Sequence, residues 1–224
     1  MVSRDALPRF LSLNGPDNVG KTTHLARIAE HYPALQPLGS IHHHDPTPWN
    51  GAAQGDYATW WFEKVSTREL TGMMLASHAM RAAARSPQSV GLLDRGLPML
   101  LAAAAATSAI KDSLTSAQAL AGIEALAAES GLAAEPEAAI LLLPSRDAAR
   151  SYAITSVREG RVWTGVYVRY QHTLHEVLTL QASKGTYAAV IDCEGRSIND
   201  VHVRLLTHAA RIIPALFLRT GDDS

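Results

Sequence analysis

The sequence has little cysteine, few aromatic residues and almost no net charge. Its single cysteine, Cys193, excludes an internal disulfide and fits a reducing compartment, with the cytoplasm as the expected location. Formal net charge is −1 over 224 residues and the basic side chains are scattered, so neither a nucleic-acid footprint nor a polybasic membrane patch is expected. A long apolar run is also lacking. The longest uncharged stretch, Gly96 to Ile110, is alanine-rich and falls short of the about 20 strongly apolar residues that a bilayer span requires, so it reads as a buried helix. Met1-Val2-Ser3-Arg4-Asp5 leads almost at once into an apolar strand pattern, leaving no room for the core of a secretory signal. The end, Thr220-Gly221-Asp222-Asp223-Ser224, is polar and expected to fray. No internal repeat is visible, and the length suits one well-buried α/β domain over 1–224. Aromatic residues make up only 6 % of the chain, so the run Trp60-Trp61-Phe62 draws notice; large rings bury wherever they fall, which places it in the core or in the wall of a ligand pocket.

What is present is a phosphate-cradling loop. Gly15-Pro16-Asp17-Asn18-Val19-Gly20-Lys21-Thr22 fits G-x-x-x-x-G-K-[ST] at every specified position and is followed by Thr23. Arg9-Phe10-Leu11-Ser12-Leu13 alternates as a short strand does, and His24-Leu25-Ala26-Arg27-Ile28-Ala29 has apolar residues at helical spacing. Strand, loop and helix therefore arrive in the order the chemistry needs. The two glycines let backbone N–H groups turn inward to phosphate oxygens, and the helix starting near Gly20 adds the positive end of its dipole. In this arrangement Lys21 meets the β and γ phosphates of ATP, and the Thr22 hydroxyl is a ligand for Mg²⁺.

Buried strand patterns recur at Phe10–Leu13, Leu38–His42, Val90–Leu93, Ala139–Leu143 and Ala188–Ile191. Helices are expected over Lys21–Tyr32, Thr59–Ala84 (with a break near Ser66 or Gly72), Pro98–Ile110, Ser116–Ser130, Arg146–Ser156, Gly165–Gln181 and Ile198–Leu216, with Pro214 able to end the last one early. Ser116 is read as an N-cap and Gly131 as a stop. Alternation of strands buried on both faces with helices predicts a three-layer α/β fold of the P-loop kinase type, a central five-stranded parallel sheet flanked by helices. Ligands of such sheets sit beyond the carboxyl ends of the strands, where Asp17, Asp45, Asp94 and Cys193 fall. Asp94-Arg95 closes the third strand. An acid there can reach Mg²⁺ or its water, and the neighbouring guanidinium can grip a phosphate with two parallel hydrogen bonds.

On these residues the chain resembles the thymidylate kinase family and, more loosely, its deoxynucleoside kinase relatives. The opening pattern F-I-x-x-E-G-x-[DE]-G-x-G-K-[ST]-T is similar to Phe10 through Thr23, including the acid Asp17. The family's Asp-Arg-Tyr resembles Asp94-Arg95-Gly96, and its late acid resembles Ile191-Asp192-Cys193-Glu194-Gly195. The resemblance implies that Asp17 contacts the acceptor's sugar, that the loop at Cys193 lies by the adenine, and that the protein is a homodimer. It also implies an arginine-bearing lid, here at about 146–164 with Arg146, Arg150, Arg158 and Arg161. Of these, Arg158 and Arg161 sit in a turn-like stretch and are read as catalytic together with Lys21, Asp94 and Arg95. A closing lid excludes water and strengthens each charge contact.

The acceptor side departs from the family. Where members have T-R-E-P-G-G-T, this chain has His43-His44-Asp45-Pro46-Thr47-Pro48-Trp49, so Asp45 inherits the base role that nucleoside kinases give an acid before proline, His44 stands near the missing arginine, and Trp49 is placed to stack on a base. The third-helix pattern L-F-x-A-[DN]-R is met only by Met74-Leu75-Ala76-Ser77-His78-Ala79, which leaves Leu75 in the stacking position and no arginine for the acceptor phosphate unless Arg81 or Arg85 supplies it. His42-His43-His44 is read as strand, whose side chains alternate between faces and cannot converge on one ion, and His172 with His175 as a packed or solvated pair.

The expected activity is transfer of the γ-phosphoryl of ATP·Mg²⁺ to a small-molecule acceptor, either a nucleoside monophosphate or related molecule, or a nucleoside whose 5′ hydroxyl loses its proton to Asp45 or Asp94. A GTP-driven switch would need an Asn-Lys-x-Asp segment to read guanine, and the sequence has none. A catalytically silent nucleotide-binding regulator is the remaining alternative, against which Lys21, Thr22, Asp94 and Arg95 all stand.

Overall fold

The computed structural model describes residues 8–52, 56–132, 135–159 and 165–214. In chain order these form β1 (Phe10–Asn14), α1 (Lys21–His31), β2 (Leu35–Pro37), α2 (Ile41–His44), α3 (Pro46–Ala52), α4 (Tyr57–Thr59) running into a π-helical turn (Trp60–Lys64), and α5 (Thr67–Ala83). Then follow β3 (Val90–Asp94), α6 (Leu97–Lys111), α7 (Ser116–Glu129), β4 (Glu137–Leu143), α8 (Ala148–Glu159), α9 (Val166–Ser183), β5 (Ala189–Asp192) and α10 (Ile198–Ile212). The five strands make one parallel sheet in the order β2-β3-β1-β4-β5, the α/β architecture that the sequence predicts.

Alternation along β4 shows how the sheet is covered. Ala139, Leu141 and Leu143 enter one apolar cluster with Leu100, Leu120, Leu174 and Leu178 from α6, α7 and α9. Ala138, Ile140 and Leu142 enter the opposite cluster with Leu25 and Ile28 of α1 and Leu205 of α10. Successive side chains thus serve opposite layers, which is why this strand reads as a continuous hydrophobic run. Within the first layer, Ala102 through Ala106 of α6 are all buried, and their small side chains let α5, α7 and α9 pack closely around it. No helix of the described residues is long and apolar enough to cross a membrane.

The second strand lies earlier than the sequence reading placed it. Expected at Leu38–His42, it runs over Leu35–Pro37 beside Val90–Leu92, and Ile41–His44 forms a helical turn instead. Pro37 has no N–H to donate and is tolerated because β2 is an edge strand; Gly39, at φ +69°, then turns the chain away. The three histidines accordingly follow a helical turn, and among the described residues no group of His, Cys, Asp or Glu is arranged to hold a metal ion.

The long helix expected over Thr59–Ala84 is interrupted at Ser66. That residue caps α5 in a box with Glu69, whose carboxylate accepts from the Ser66 backbone. Thr115, one residue before the expected Ser116, caps α7 in the same way with Gln118, and Gly131 follows that helix at φ +66°. The last helix stops at Ile212, short of Leu216, because Pro214 disfavours helical geometry in the residue before it.

Candidate active site

The loop Gly15–Thr22 joins β1 to α1 and is shaped by two glycines for different reasons. A Cβ on Gly15 would lie 2.1 Å from the Leu142 carbonyl oxygen, so only glycine lets the loop press against β4. A Cβ on Gly20 would meet the His24 ring at an ordinary 3.7 Å, but the residue sits at φ +98°, which side chains rarely adopt. Asn18 takes φ +60°, a conformation asparagine tolerates, and Val19 is buried beneath the loop. Lys21 is 4 % exposed and its Nζ donates to the Gly15 and Pro16 carbonyl oxygens at 2.9 and 2.7 Å. Burial, reinforced by Arg95 and opposed by Asp17 and Asp94, brings its pKa down to about 8.

Thr22 donates its hydroxyl to Oδ2 of Asp94 at 2.7 Å, while Oδ1 of Asp94 is buried without a partner. Arg95 pairs with Asp17 through Nη2 and Oδ1, and Tyr167 reaches Oδ2 of Asp17 at 3.5 Å. Burial raises the Asp17 carboxyl, but Arg95 and Lys21 outweigh it and hold the group below the usual carboxylate range. Arg95 itself stands at φ +61°.

Two cavities meet here. One of about 550 Å³ is lined by Asn18, Gly20, Lys21, Thr22, Thr23 and Arg158. The other, about 680 Å³, lies under α3, the π-helical turn and α9. Asp17, Asp94 and Arg95 line both. Of the chain's 4 Trp, 6 Tyr and 3 Phe, the larger cavity takes Trp49, Trp61, Tyr57, Tyr167, Tyr170 and Phe62. The buried indole of Trp49 and the half-buried one of Trp61 satisfy their N–H groups: Trp49 donates to Ser77 Oγ at 2.9 Å and Trp61 to Thr107 Oγ1 at 2.8 Å. Trp61 and Phe62 serve as both wall and core packing, whereas Trp60 only packs against the core.

Other residues singled out in the sequence stand further off. Asp45 accepts from the Ser77 hydroxyl at 2.9 Å, so Trp49, Ser77 and Asp45 form one chain, but Asp45 does not line the cavity. His44 is turned back, its Nε2 bonded to the Leu38 carbonyl, and His42 lines the cavity in its place. Leu75 is buried outside the cavity wall, which carries Met74 instead. Cys193 is buried, with its thiol pushed up to about 11 mainly by burial, and lines neither cavity. Arg158 of α8 donates to the Asn18 carbonyl at 3.0 Å. Arg146 and Arg150 pair instead with Asp192 and Glu194 at 3.8 and 2.5 Å, and Arg161 lies outside the described residues. His175 is buried with Nε2 3.0 Å from the Arg146 carbonyl oxygen, and His172 packs its ring near Tyr152.

Neither Arg81 nor Arg85 is available for an acceptor phosphate. Arg85 folds back on the Ser86, Pro87 and Ser89 carbonyls. Arg81 is fully buried, and its Nη1 donates to the Asp94 and Gly39 carbonyls at 3.1 and 3.4 Å while Nη2 donates to the Arg95 carbonyl at 2.8 Å. Beside it His78, 2.9 Å from Nη2, is held at about 4 by burial and by this guanidinium, and so is neutral. From the other side Asn14 Oδ1 accepts the Gly96 N–H at 2.9 Å and Glu137 Oε2 the Leu97 N–H at 3.0 Å. Sequence reading passed over Asn14, Ser77 and Glu137, whose partners lie far away in the chain. Tyr167 and Tyr170 left a weak trace, an i, i+3 spacing that puts them on one helix face.

No family model matches the sequence, and no curated protein does. Among solved structures, thymidylate kinase from Candida albicans superposes with a TM-score of 0.62 at 14 % identity, over 90 % of this chain and 90 % of that one. Thymidylate kinase from Ehrlichia chaffeensis does so with a TM-score of 0.56 at 13 % identity, over 90 % of this chain and 98 % of that one. The chain has the fold of thymidylate kinases.

Proposed function

We propose that the protein is an ATP- and Mg²⁺-dependent phosphotransferase whose acceptor is a nucleotide- or nucleoside-type small molecule. The observation that carries this reading is the shared wall: Asp17, Asp94 and Arg95 face both the phosphate-loop cavity and the aromatic one, so a donor phosphate and an acceptor would meet at the same three side chains. Thr22 and Asp94 suit Mg²⁺, since a hydroxyl and a carboxylate 2.7 Å apart are hard oxygen donors and Oδ1 of Asp94 is buried without a partner. Bound there, the ion supplies charge neutralisation between neighbouring phosphates. Lys21 and the backbone of Gly20 are placed for triphosphate binding, and a phosphate beside the buried ammonium compensates the desolvation that lowers its pKa.

The work left to the protein is positioning and charge stabilisation, because a loose phosphoryl transition state asks for little covalent help. Arg95 is anchored where transferring charge develops, and Arg158 closes the phosphate cavity from α8. Arg158→Ala is expected to lower kcat about 10²-fold while changing ATP affinity only a few-fold, the signature of a donor used mainly in the transition state. Equal losses in both quantities would make Arg158 a ligand of bound ATP instead, and none in either would assign it to the surface. The activity itself is tested by incubating purified protein with ATP·Mg²⁺ and a broad panel of nucleosides and nucleotides, reading ADP release and product mass. ADP release coupled to one phosphorylated product class is expected; a panel without any such product refutes the proposal.

A further inference from the structure

We infer that the acceptor offers a neutral hydroxyl rather than a phosphate, and that it is a nucleoside-like molecule with a flat ring system seated among the aromatic side chains. The inference deepens the phosphotransferase reading and rests on it.

The charges lining the 680 Å³ cavity carry the case. A monophosphate would bring nearly two negative charges, which must be met by cations if it is to leave water. Three lining residues can bear positive charge: Arg81, Arg95 and His42. Arg81 has both terminal nitrogens engaged by the Asp94, Arg95 and Gly39 carbonyls and by His78, and its Nε is sealed from solvent. Arg95 is paired with Asp17. Burial, with Arg95 nearby, pulls His42 below its ordinary value, so it is neutral at physiological pH. Two guanidiniums therefore face the two carboxylates Asp17 and Asp94, and the described lining has no positive charge in excess. Arg95 also borders the phosphate-loop cavity, where the transferring group would claim it.

The rest of the wall suits an uncharged guest. Trp49, Trp61, Phe62 and Tyr170 supply ring faces, Met74 and Leu174 apolar edges. Stacking on aromatic faces recognises a flat base without needing charge. At the polar end, Asp17 turns Oδ1 to Arg95 and has Tyr167 only at 3.5 Å from Oδ2, so this oxygen retains lone-pair capacity for a further donor. A hydroxyl there completes it. In the step, the acceptor's hydroxyl oxygen bonds to the γ-phosphorus of ATP as the bond from that phosphorus to the bridging β,γ-oxygen breaks; ADP leaves with the electron pair, and the hydroxyl proton passes to Oδ2 of Asp17. Asp94 is set aside for the ion instead, because its Oδ2 holds Thr22 and its buried, unpartnered Oδ1 is the oxygen that suits Mg²⁺.

Matched pairs test the inference: each deoxynucleoside against its own 5′-monophosphate, in binding followed by tryptophan fluorescence and in turnover with ATP·Mg²⁺ followed by product mass. At least one nucleoside is expected to bind about 10-fold or more tightly than its monophosphate, the effect of bringing a dianion into a site without a free cation, and to yield a monoester. Asp17→Asn should then lower kcat about 10²-fold or more at nearly unchanged nucleoside affinity. Tighter binding of the monophosphates, diphosphate products, or no binding by any pair overturns the inference, and unchanged kcat in Asp17→Asn removes the proton role. If nucleosides bind as expected and nothing is phosphorylated, the preference of the aromatic cavity for an uncharged nucleoside stands while the phosphotransferase reading, and the acceptor role with it, falls.

Discussion

Lys21→Ala is expected to lower phosphoryl transfer by about 10³-fold or more, since one preorganised donor to a developing charge is already worth 10²–10³ in kcat and this ammonium also serves triphosphate binding. The residue is 4 % exposed and sits between the loop carbonyls of Gly15 and Pro16, so its charge acts in a partly desolvated site where electrostatic interactions are strong. The fold should survive. Alanine is the best helix former at the start of α1, and Lys21 itself lines an open cavity, from which water can enter the space the ammonium leaves. Steady-state ADP release with an active acceptor gives the rate, and thermal unfolding the integrity of the chain. Undiminished turnover in a folded variant would remove the phosphate loop from the mechanism.

The loop was legible because everything it needs is local: an apolar strand, two glycines, Lys-Thr and a helix follow one another without interruption from Phe10 to His31. The inner strands β3, β1 and β4 were legible for the related reason that strands covered on both faces become unbroken apolar runs, and β5, although Val190 is exposed, through its short apolar run Ala189–Ile191. The edge strand escaped because its burial pattern is incomplete: Leu35 is buried, Gln36 half-buried and Pro37 exposed, while the more apolar Leu38–Ile41 belongs to a turn and a helix. The aromatic cavity escaped for a different reason. Trp49, Tyr57, Trp61 and Phe62 come from one stretch, but Tyr167 and Tyr170 arrive in the same layer on α9, from a distant part of the chain, and no pattern in the sequence joins the two groups. Arg81 shows the limit most clearly. As a basic residue one turn beyond a helix motif it reads as a phosphate ligand, yet α5 turns that face toward the end of β3 and the guanidinium finds backbone carbonyls first.

Arg81→Met is expected to cost about 3 kcal/mol of stability or more, and to lower kcat beyond what the loss of folded protein explains. Three carbonyls, of Gly39, Asp94 and Arg95, lose their donor, and each buried polar group left unpaired costs about 1–3 kcal/mol. Methionine keeps the length and apolar stem of the side chain, so the loss reports the hydrogen bonds more than a cavity. The catalytic consequence follows from the backbone at Arg95. A non-glycine residue at φ +61° carries about 1–3 kcal/mol of strain and persists only where its surroundings over-determine it. Here Leu13 accepts its N–H at 3.0 Å, Arg81 holds its carbonyl, and Asn14 and Glu137 take the next two N–H groups. Without Arg81 one side of that clamp is gone, and the turn can relax toward ordinary backbone geometry, carrying the Arg95 guanidinium and the Asp94 carboxylate away from the junction of the two cavities. Urea unfolding separates the two effects, because kcat is measured at denaturant-free conditions where the variant remains folded. Arg81→Lys, with one ammonium that cannot span three carbonyls, should fall between wild type and Arg81→Met in both measurements. A methionine variant within about 0.5 kcal/mol of wild-type stability, the spread of ordinary surface substitutions, and with unaltered kcat would show that the strained turn holds its shape without the buried guanidinium.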